Sequence, residues 1–302
     1  MTRGFVTLAT GDDRYYIMAV RLLRSFRLFN PDVPFAILCD RENAYTAEFT
    51  DVVVIDNPTR SYLDKFLLLL KCPYDESIFI EPDCLVYRNL DFFWELLSGE
   101  YDFTSFGWND GTLVFFQDPE YASQKFLNDP RAAVPLFNPG YLFVRNGETC
   151  RRIYRDAMEI IAQIKKDPKL NQDSELICKG SIRDDPVFFI AMALNGCLCN
   201  ALPTDGKCVF LPGATKIMTA SLSKGRLDAD WHGEMTDCSI LHFSSRRARE
   251  EGLYWQQSIV LDLIYKGAPR PLIRLAESRA ARCAAGLYKK GTVGIRRRIR
   301  RD

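Results

Sequence analysis

The chain alternates between short apolar runs, which suit buried strands, and longer stretches in which apolar residues recur with helical spacing. The short runs predict strands at 4–10, 34–39, 52–55 and 77–80. Between the first two strands, apolar residues keep the spacing of one helix face from 15 to 29. Strands and helices that alternate in this order predict a parallel α/β sheet.

The rest of the chain yields further elements by the same criteria. Helical spacing predicts helices over 62–70, 151–166 and 183–194. Apolar runs predict strands at 112–116, 136–146 and 237–245. These elements extend the α/β pattern over most of the chain.

One predicted strand ends in two acidic residues. The run 77–80 is β-branched and aromatic, as in the central strands of parallel sheets, and Pro82 fits only where strand pairing stops. Glu81 and Asp83 follow the run at i and i+2, so their side chains point the same way from an extended backbone. At the sheet edge where open α/β folds bind ligands, they can bind one divalent cation. A solvated acidic loop is the alternative.

The order of helix, strand, acid-x-acid and aromatic helix resembles the DxD region of GT-A glycosyltransferases, especially the glycogenin and lipopolysaccharide galactosyltransferase group. The matching stretch is 74–91, YDESIFIEPDCLVYRNLD, followed by three aromatic residues. Glu81 stands where the family has its first Asp. The resemblance implies an α/β fold of the GT-A, Rossmann-like type, with a mixed, mostly parallel sheet flanked by helices, over residues 1–268.

Two amino-terminal segments are similar to parts of that family that contact the donor nucleotide. The stretch 5–40 resembles the opening strand and helix, which implies uridine-nucleotide contacts by Thr10, Asp12 or Asp13, and Tyr15. Lys65 falls where the family's lysine meets the pyrophosphate, and a compact ammonium suits that charge. A polar strand-to-helix turn and a solvated helix-face lysine are the alternatives.

Two later segments resemble the family's sugar-binding elements. The stretch 136–146 is similar to the "FNSGVMVFN" strand, which implies that Asn138 approaches the sugar and that Gly140 lets the backbone come close. The start of 183–194 is similar to a "DQGxLN" helix opening. This implies that Asp184 is a sugar ligand, with Asp185 as the helix cap, so Asn138 and Asp184 are the predicted catalytic residues. Ordinary helix capping by both acids is the alternative.

A histidine near the carboxyl end completes the predicted metal site. His242 stands where the family has "HFxGxxKPW", whose histidine binds the metal, so the resemblance implies Glu81, Asp83 and His242 as ligands. Mn²⁺, or Mg²⁺, is the predicted cation, and manganese accepts mixed carboxylate and imidazole ligands. The motif's lysine is missing, and Arg246 is the predicted phosphate contact in its place. A packed, hydrogen-bonded histidine is the alternative.

Charge is distributed unevenly along the chain. Positions 270–302 hold eleven Lys or Arg residues and two acids, so the other positions hold 29 basic and 37 acidic residues. This basic amphipathic tail, 269–302, predicts contact with an anionic membrane surface, and a solvated, disordered end is the alternative. Nucleic acid is the weaker prediction, because no aromatic stacking surface accompanies the arginines.

The cysteines and the apolar stretches bear on location. Ten cysteines are scattered without the spacing of a zinc site, no signal segment opens the chain, and no apolar stretch approaches the ~20 residues of a membrane span. These features predict a cytoplasmic protein that is peripheral on the inner face of a membrane.

The motifs follow the family's order along the chain, and together they predict a metal-dependent glycosyltransferase, a hexosyltransferase. Its donor is a UDP-sugar and its acceptor a glycan, a lipid-linked sugar or a protein, with retention of configuration implied by the resemblance alone. Two other classes stay open. One is a catalytically impaired nucleotide-sugar-binding module, because Glu81 replaces an Asp. The other is a sugar nucleotidyltransferase, although such enzymes open with a basic phosphate loop and the turn here, 11–13, is acidic.

Overall fold

The computed structural model describes residues 1–97, 99, 101–178, 180–197, 201–202, 208–210, 214–231, 233–244, 252–278 and 281. The chain divides into two compact units. The first comprises Met1–Ala19, Val33–Glu81 and Asp91–Thr204, and the second comprises Val20–Asp32, Pro82–Leu90 and Asp205–Asp302. The boundary at residue 268 between a domain and a basic tail stays a prediction.

A seven-stranded sheet forms the centre of the first unit. With strands numbered along the whole chain, its members are β1 Arg3–Ala9, β2 Phe35–Cys39, β3 Asp51–Val54, β4 Glu76–Ile80, β6 Phe103–Gly111, β7 Val134–Arg145 and β10 Ala201–Leu202. The spatial order is β10-β6-β7-β4-β1-β2-β3. Neighbours pair in parallel except for β7, which is antiparallel to both β4 and β6. The predicted mixed, mostly parallel sheet is confirmed.

Helices cover this sheet. They are α1 Asp13–Arg27, which is divided between the units, α2 Leu68–Lys71, α3 Phe92–Leu97, α4 Pro119–Leu127, α5 Glu148–Lys166 and α6 Asp184–Leu194, with 3₁₀ helices at Thr46–Glu48 and Tyr62–Leu67. A short hairpin, β8 Ile177–Cys178 and β9 Ser181–Ile182, precedes α6.

Successive residues of β1 show how both faces of the sheet are buried. Phe5 packs edge-on against Phe93 and Trp94 of α3, at ring-centroid distances of 6.1 and 5.4 Å. Val6 points to the other face and joins the apolar cluster that includes Ile153 of α5 and Phe188 of α6. Every residue of β4 is buried, as expected for a strand covered on both faces.

One predicted strand of the first unit is wrong. Residues 112–116 form a turn in which Val114 N–H donates to Thr112 O at 2.7 Å and Phe116 N–H donates to Leu113 O at 3.2 Å. The strand lies earlier, as β6, whose sequence FTSFGWNDG is too polar and glycine-rich to be recognised by its pattern. Leu113 and Phe116 are buried, so these apolar side chains pack into the core although their segment is not a β-strand.

The second unit contains two three-stranded sheets. One has the order β11-β15-β5, with β5 Cys84–Val86, β11 Cys208–Phe210 and β15 Ile240–His242, and the other is β12 Ala214–Ser221, β13 Arg226–Trp231 and β14 Glu234–Asp237. The described part of this unit also contains a 3₁₀ helix at Leu222–Lys224, α7 Gly252–Tyr265 and α8 Arg270–Ala276. Within the described residues 237–244 the predicted strand is shorter, since residue 237 closes β14 and residues 240–242 form β15.

The start of the basic tail is fixed to this unit. Gln256 of α7 donates from Nε2 to the carbonyl oxygens of Ala276 and Ser278, both at 2.8 Å. Glu277 accepts a hydrogen bond from Ser221 Oγ at 2.9 Å. Leu272 and Leu275 of α8 are exposed. Among the described helices, none is both long and apolar enough to span a bilayer.

Candidate functional site

In the first unit, a buried lysine joins two acids from distant segments. Lys65 lies on the 3₁₀ helix that Ser61 caps, and only 5% of its surface is exposed. Its Nζ lies 2.7 Å from Glu81 Oε1, directly beyond the carboxyl end of β4, and it also contacts Asp184 Oδ2 at the start of α6. Three residues that the sequence assigned to nucleotide, metal and sugar therefore lie together.

Burial and charge act against each other in this group, which we call the lysine cluster (Lys65, Glu81 and Asp184). Burial alone lowers the pKa of Lys65, but the carboxylates of Asp184 and Glu81 outweigh it and the pKa is raised. Burial raises the pKa of the Asp184 carboxyl, although Lys65 opposes that shift. The lysine is held as an ammonium ion, and Asp184 binds a proton more tightly than an exposed aspartate does.

The prediction that Asp185 caps α6 is wrong. Arg183 is the N-cap residue, and no side chain makes the capping hydrogen bond. Asp185 instead accepts from its neighbour, with Arg183 Nε at 3.0 Å from Oδ1. A guanidinium two residues away competes for the carboxylate that would otherwise reach the helix amides.

The loop after β1 is held by two buried carboxylates. Thr10 Oγ1 donates to Asp64 Oδ2 at 2.8 Å, and Asp64 also accepts from the backbone N–H groups of Thr59 and Arg60. Asp40, at the end of β2, accepts from Gly11 N–H at 3.2 Å. Asp40 was not predicted from the sequence as a site residue, although an acid that directly follows a strand neighbouring β1 is a recognisable signal.

The other two nucleotide-contact residues predicted in this loop lie further out. Asp12 is exposed and accepts from Arg14 N–H at 2.9 Å. The phenol of Tyr15 accepts from Arg14 Nη2 at 3.3 Å, and the Arg14 guanidinium lies over its ring. Both side chains are available at the surface of the first unit, whereas Thr10 is fixed within it.

The segment around Asn138 approaches the end of β4 through its backbone. Glu81 N–H donates to Gly140 O at 2.9 Å, one residue beyond the β4–β7 pairing. Gly140 N–H in turn donates to Asn138 Oδ1 at 2.9 Å. Both predicted residues therefore belong to the structure that positions Glu81, and the Asn138 amide oxygen is occupied by the backbone.

In the second unit, Asp83, Cys84 and His242 bring a carboxylate oxygen, a thiol and an imidazole nitrogen within 4.8 Å of one another. His242 Nε2 lies 3.1 Å from Asp83 Oδ1. All three residues are buried, His242 almost completely. We call this group the imidazole cluster. Asp83 and His242 were both predicted from the sequence, whereas Cys84 was missed, because cross-strand pairing and not sequence spacing brings it to His242.

Donor types in the imidazole cluster suit a divalent transition metal. Imidazole, carboxylate and thiolate are ligands of Zn²⁺ and related ions, and the first two also suit manganese. A pair of such atoms 3.1 Å apart in a buried setting fits a shared cation. Arg246, the predicted phosphate contact, lies outside the described residues.

A cavity of about 400 Å³ opens elsewhere in the first unit. Its lining includes Ser61 and Leu63 of the 3₁₀ helix, Lys165 at the end of α5, and Ser181 of β9. None of the predicted site residues lines it. The cavity is therefore separate from the lysine cluster, although both use the same 3₁₀ helix.

A search of solved structures finds glycosyltransferases. The galactosyltransferase LgtC, solved with donor and acceptor sugar analogs, is 15% identical over 80% of this chain and 87% of its own, with a TM-score of 0.49. Mouse xyloside xylosyltransferase 1 is 11% identical over 81% of this chain and 98% of its own, with a TM-score of 0.44. The S. cerevisiae mannosyltransferase Ktr4p is 10% identical over 63% of this chain and 65% of its own, with a TM-score of 0.43.

No protein-family model matches the sequence, and none of the curated proteins matches it.

Proposed function

We propose that the chain is a glycosyltransferase that moves a sugar from a UDP-sugar donor to a carbohydrate-bearing acceptor with the help of a divalent cation. The observation that carries this proposal is the 3.1 Å contact between Asp83 and His242. The two residues come from distant segments, and each segment resembles a metal-binding motif of the same glycosyltransferase family. Their meeting in the folded chain supports a common role.

Asp83 and His242 hold the cation in this proposal. Glu81, the third ligand predicted from the sequence, pairs with Lys65 in the first unit instead. The cation, Mn²⁺ or Mg²⁺ by the sequence prediction, neutralises charge on the departing diphosphate when it is bound. A backbone hydrogen bond from Phe243 N–H to Asp83 O at 3.0 Å supports a fixed position for Asp83 beside the strand that carries His242.

The loop after β1 binds the nucleotide in this proposal. Asp64 and Asp40 fix Thr10 and Gly11, which keeps the backbone of the loop in place before the donor arrives. Nucleotide contacts are then proposed for Thr10, Asp12 and Tyr15, and phosphate contacts for Lys65 and Arg246. The close approach of the donor is proposed at Gly140.

Asp184 and Asn138 contact the sugar in this proposal. The Asp184 carboxylate accepts a hydrogen bond from a sugar hydroxyl, and the Asn138 Nδ2 group donates one, because its Oδ1 already accepts from Gly140 N–H. Lys65 holds Asp184 opposite Glu81 and so fixes the direction in which the carboxylate points. We propose that transfer proceeds with retention of configuration, as the family resemblance implies.

Release of UDP from a panel of UDP-sugars, measured with Mn²⁺, Mg²⁺ or chelator, tests the proposal. We expect cation-dependent release from at least one donor, lost in Asp83→Asn and kept in the exposed control Asp32→Asn. Tight donor binding without release would favour the binding module. Formation of a UDP-sugar from UTP and a sugar 1-phosphate would favour the nucleotidyltransferase.

A second proposal concerns the basic tail: we propose that it brings a cytoplasmic enzyme to an anionic membrane. Residues 279–302 carry nine Lys or Arg residues and follow α8, where Leu272 and Leu275 are exposed. Each basic residue near such a surface adds about 1 kcal/mol of attraction. In sedimentation with vesicles of graded phosphatidylserine content, we expect the full chain to bind more strongly than a chain ending at Ser278. The shorter chain keeps α8 and the hydrogen bonds that hold its end to the second unit. Equal binding by both chains would exclude residues 279–302 as the membrane anchor.

A further inference from the structure

Cys84 faces the proposed cation site because of strand pairing. Cys84 and His242 are directly opposite each other in the antiparallel pair β5–β15. Side chains of directly opposite residues project from the same face, with Cβ atoms about 4.5–5.5 Å apart. Asp83 precedes Cys84, and its carboxylate completes a group whose ligand atoms lie within 4.8 Å of one another. The three potential metal-ligand atoms therefore surround one small volume.

We propose that Cys84 is a third ligand and that the imidazole cluster binds a thiophilic divalent cation, Zn²⁺ or Co²⁺, in preference to Mn²⁺ or Mg²⁺. The inference deepens the cation site of the proposed function, and it rests on that function for what the cation does. Binding itself requires neither donor nor acceptor. It can therefore be tested when no transfer is detected.

The chemistry of the donors sets this preference. Thiolate is a soft ligand that suits zinc and its relatives, whereas Mn²⁺ and Mg²⁺ favour oxygen. On binding, the Cys84 thiol gives up its proton to solvent and the thiolate forms the bond to the metal. The sequence prediction of manganese considered only carboxylate and imidazole ligands, so the thiol changes the expected ion.

Distances in the imidazole cluster agree with such a site. Zn–N and Zn–O bonds of about 2.0–2.2 Å at a tetrahedral angle place N and O about 3.3–3.6 Å apart. His242 Nε2 and Asp83 Oδ1 lie 3.1 Å apart, so these two atoms need to move little. Three protein ligands leave a fourth position open, as in catalytic zinc sites, and a diphosphate or water oxygen can take it.

Burial favours selective binding at this position. Cys84 is fully buried, His242 is 1% exposed and Asp83 is 7% exposed. A dry surrounding strengthens the attraction between the cation and the two anionic ligands. A dry site also has little room for water, and Mg²⁺ in particular usually keeps several water ligands when it is bound.

Cobalt spectroscopy of the full chain tests the proposal. The protein is stripped with chelator and titrated anaerobically with Co²⁺, and we expect a sulfur-to-cobalt charge-transfer band in the near ultraviolet that Zn²⁺ abolishes and Mn²⁺ does not. Cys84→Ser should lose this band and bind Zn²⁺ at least about 100-fold more weakly, since outer-shell changes alone cost 10–100-fold. Cys238→Ser, which alters another buried cysteine of the same unit, should keep the band.

A measurement on the unaltered chain covers the case in which Cys84→Ser fails to fold. The X-ray absorption spectrum of the zinc-loaded protein should show one sulfur atom at about 2.3 Å from the zinc. A shell of oxygen and nitrogen only, a charge-transfer band that survives in Cys84→Ser, or Mn²⁺ affinity equal to Zn²⁺ affinity would each overturn the proposal. Cation-dependent UDP release with an oxygen and nitrogen shell would overturn this inference while supporting the proposed function.

Discussion

The two units contain buried polar groups of opposite design. In the lysine cluster of the first unit, two carboxylates share a protein-supplied cation, the Lys65 ammonium. In the imidazole cluster of the second unit, Asp83, Cys84 and His242 bring together three atoms of the kinds that bind metal ions. In the lysine cluster, the negative charge is neutralised largely by a side chain of the protein. The imidazole cluster has the composition of a site for an external cation.

This difference predicts which cluster stabilises the fold in the absence of ligand and which depends on a bound cation. A buried carboxylate is costly unless it is paired, and the lysine cluster supplies that pairing without a ligand. A cluster of metal-binding atoms gains its full interaction energy only with the ion. Changes in the first should therefore lower the free energy of unfolding, and changes in the second should mainly lower cation affinity.

Lys65→Met should produce the largest effect. Removal of the ammonium leaves Glu81 and Asp184 facing each other, and loss of one partner from a buried ion pair costs about 3–5 kcal/mol. Urea denaturation measures the loss. Lys71→Met is the control, because Lys71 is exposed at the end of α2 and such surface changes stay within about 0.5 kcal/mol.

The pH dependence of this loss identifies its cause. Since the pKa of Lys65 is raised in the folded chain, its contribution is fully present below the ordinary lysine pKa of about 10.4 and is lost as pH rises through the folded value. The difference in unfolding free energy between wild type and Lys65→Met should shrink in strong alkali. A gap of less than 0.5 kcal/mol at pH 7 would remove the lysine cluster as a stabilising feature.

Asp83→Asn should have the opposite profile. We expect cation affinity and cation-dependent UDP release to fall at least about 100-fold, or about 2.7 kcal/mol, because a charged ligand becomes a neutral amide. The unfolding free energy without added metal should change less than it does in Lys65→Met. Calorimetric titration of cation in the presence of UDP, beside Asp32→Asn, measures the first quantity. Unchanged affinity would mean that Asp83 is not a ligand.

Sequence patterns sufficed for the elements whose burial is regular. The run 77–80 is short and buried throughout, and the helix over 151–166 has one strong period. The structure has them as β4 and α5, which begin one and three residues earlier than predicted. The strand β6 was not predicted, because its sequence is polar and glycine-rich. It is a strand because its backbone pairs with β7. Tertiary context decided that element.

Tertiary contacts, which the sequence pattern does not show, also determine the two clusters. The acids after β4 and the late histidine could be assigned from motifs, because each carries its own local signature. No local pattern shows that Lys65 reaches Glu81 and Asp184, since three distant segments must fold before the ammonium meets either carboxylate. Likewise, Cys84 joins His242 through the register of β5 with β15, and a shift of one residue would turn the thiol to the other face.

Lys65→Arg separates charge from shape in the lysine cluster. Arginine keeps the positive charge, but its larger, planar guanidinium must enter a buried space occupied by a compact ammonium. We expect a loss of about 1–3 kcal/mol from overpacking, less than for Lys65→Met. Urea denaturation of the three proteins in parallel gives the order. Equal losses for both variants would show that ammonium geometry, and not charge, stabilises the cluster.

Asp184→Asn should give the smallest effect, visible in the pH dependence of stability. Because burial raises the pKa of Asp184, the folded chain keeps a proton on this carboxyl at pH values where the unfolded chain has lost it. The free energy of unfolding of the wild type should therefore fall, relative to Asp184→Asn, as pH rises above about 4, with a slope of at most about 1.4 kcal/mol per pH unit. Urea denaturation of both proteins between pH 4 and 8 measures the slope. A difference that grows with pH would mean that Lys65 stabilises the Asp184 carboxylate more than burial disfavours it, and the lysine cluster would then be a fully ionised pair of acids around one lysine.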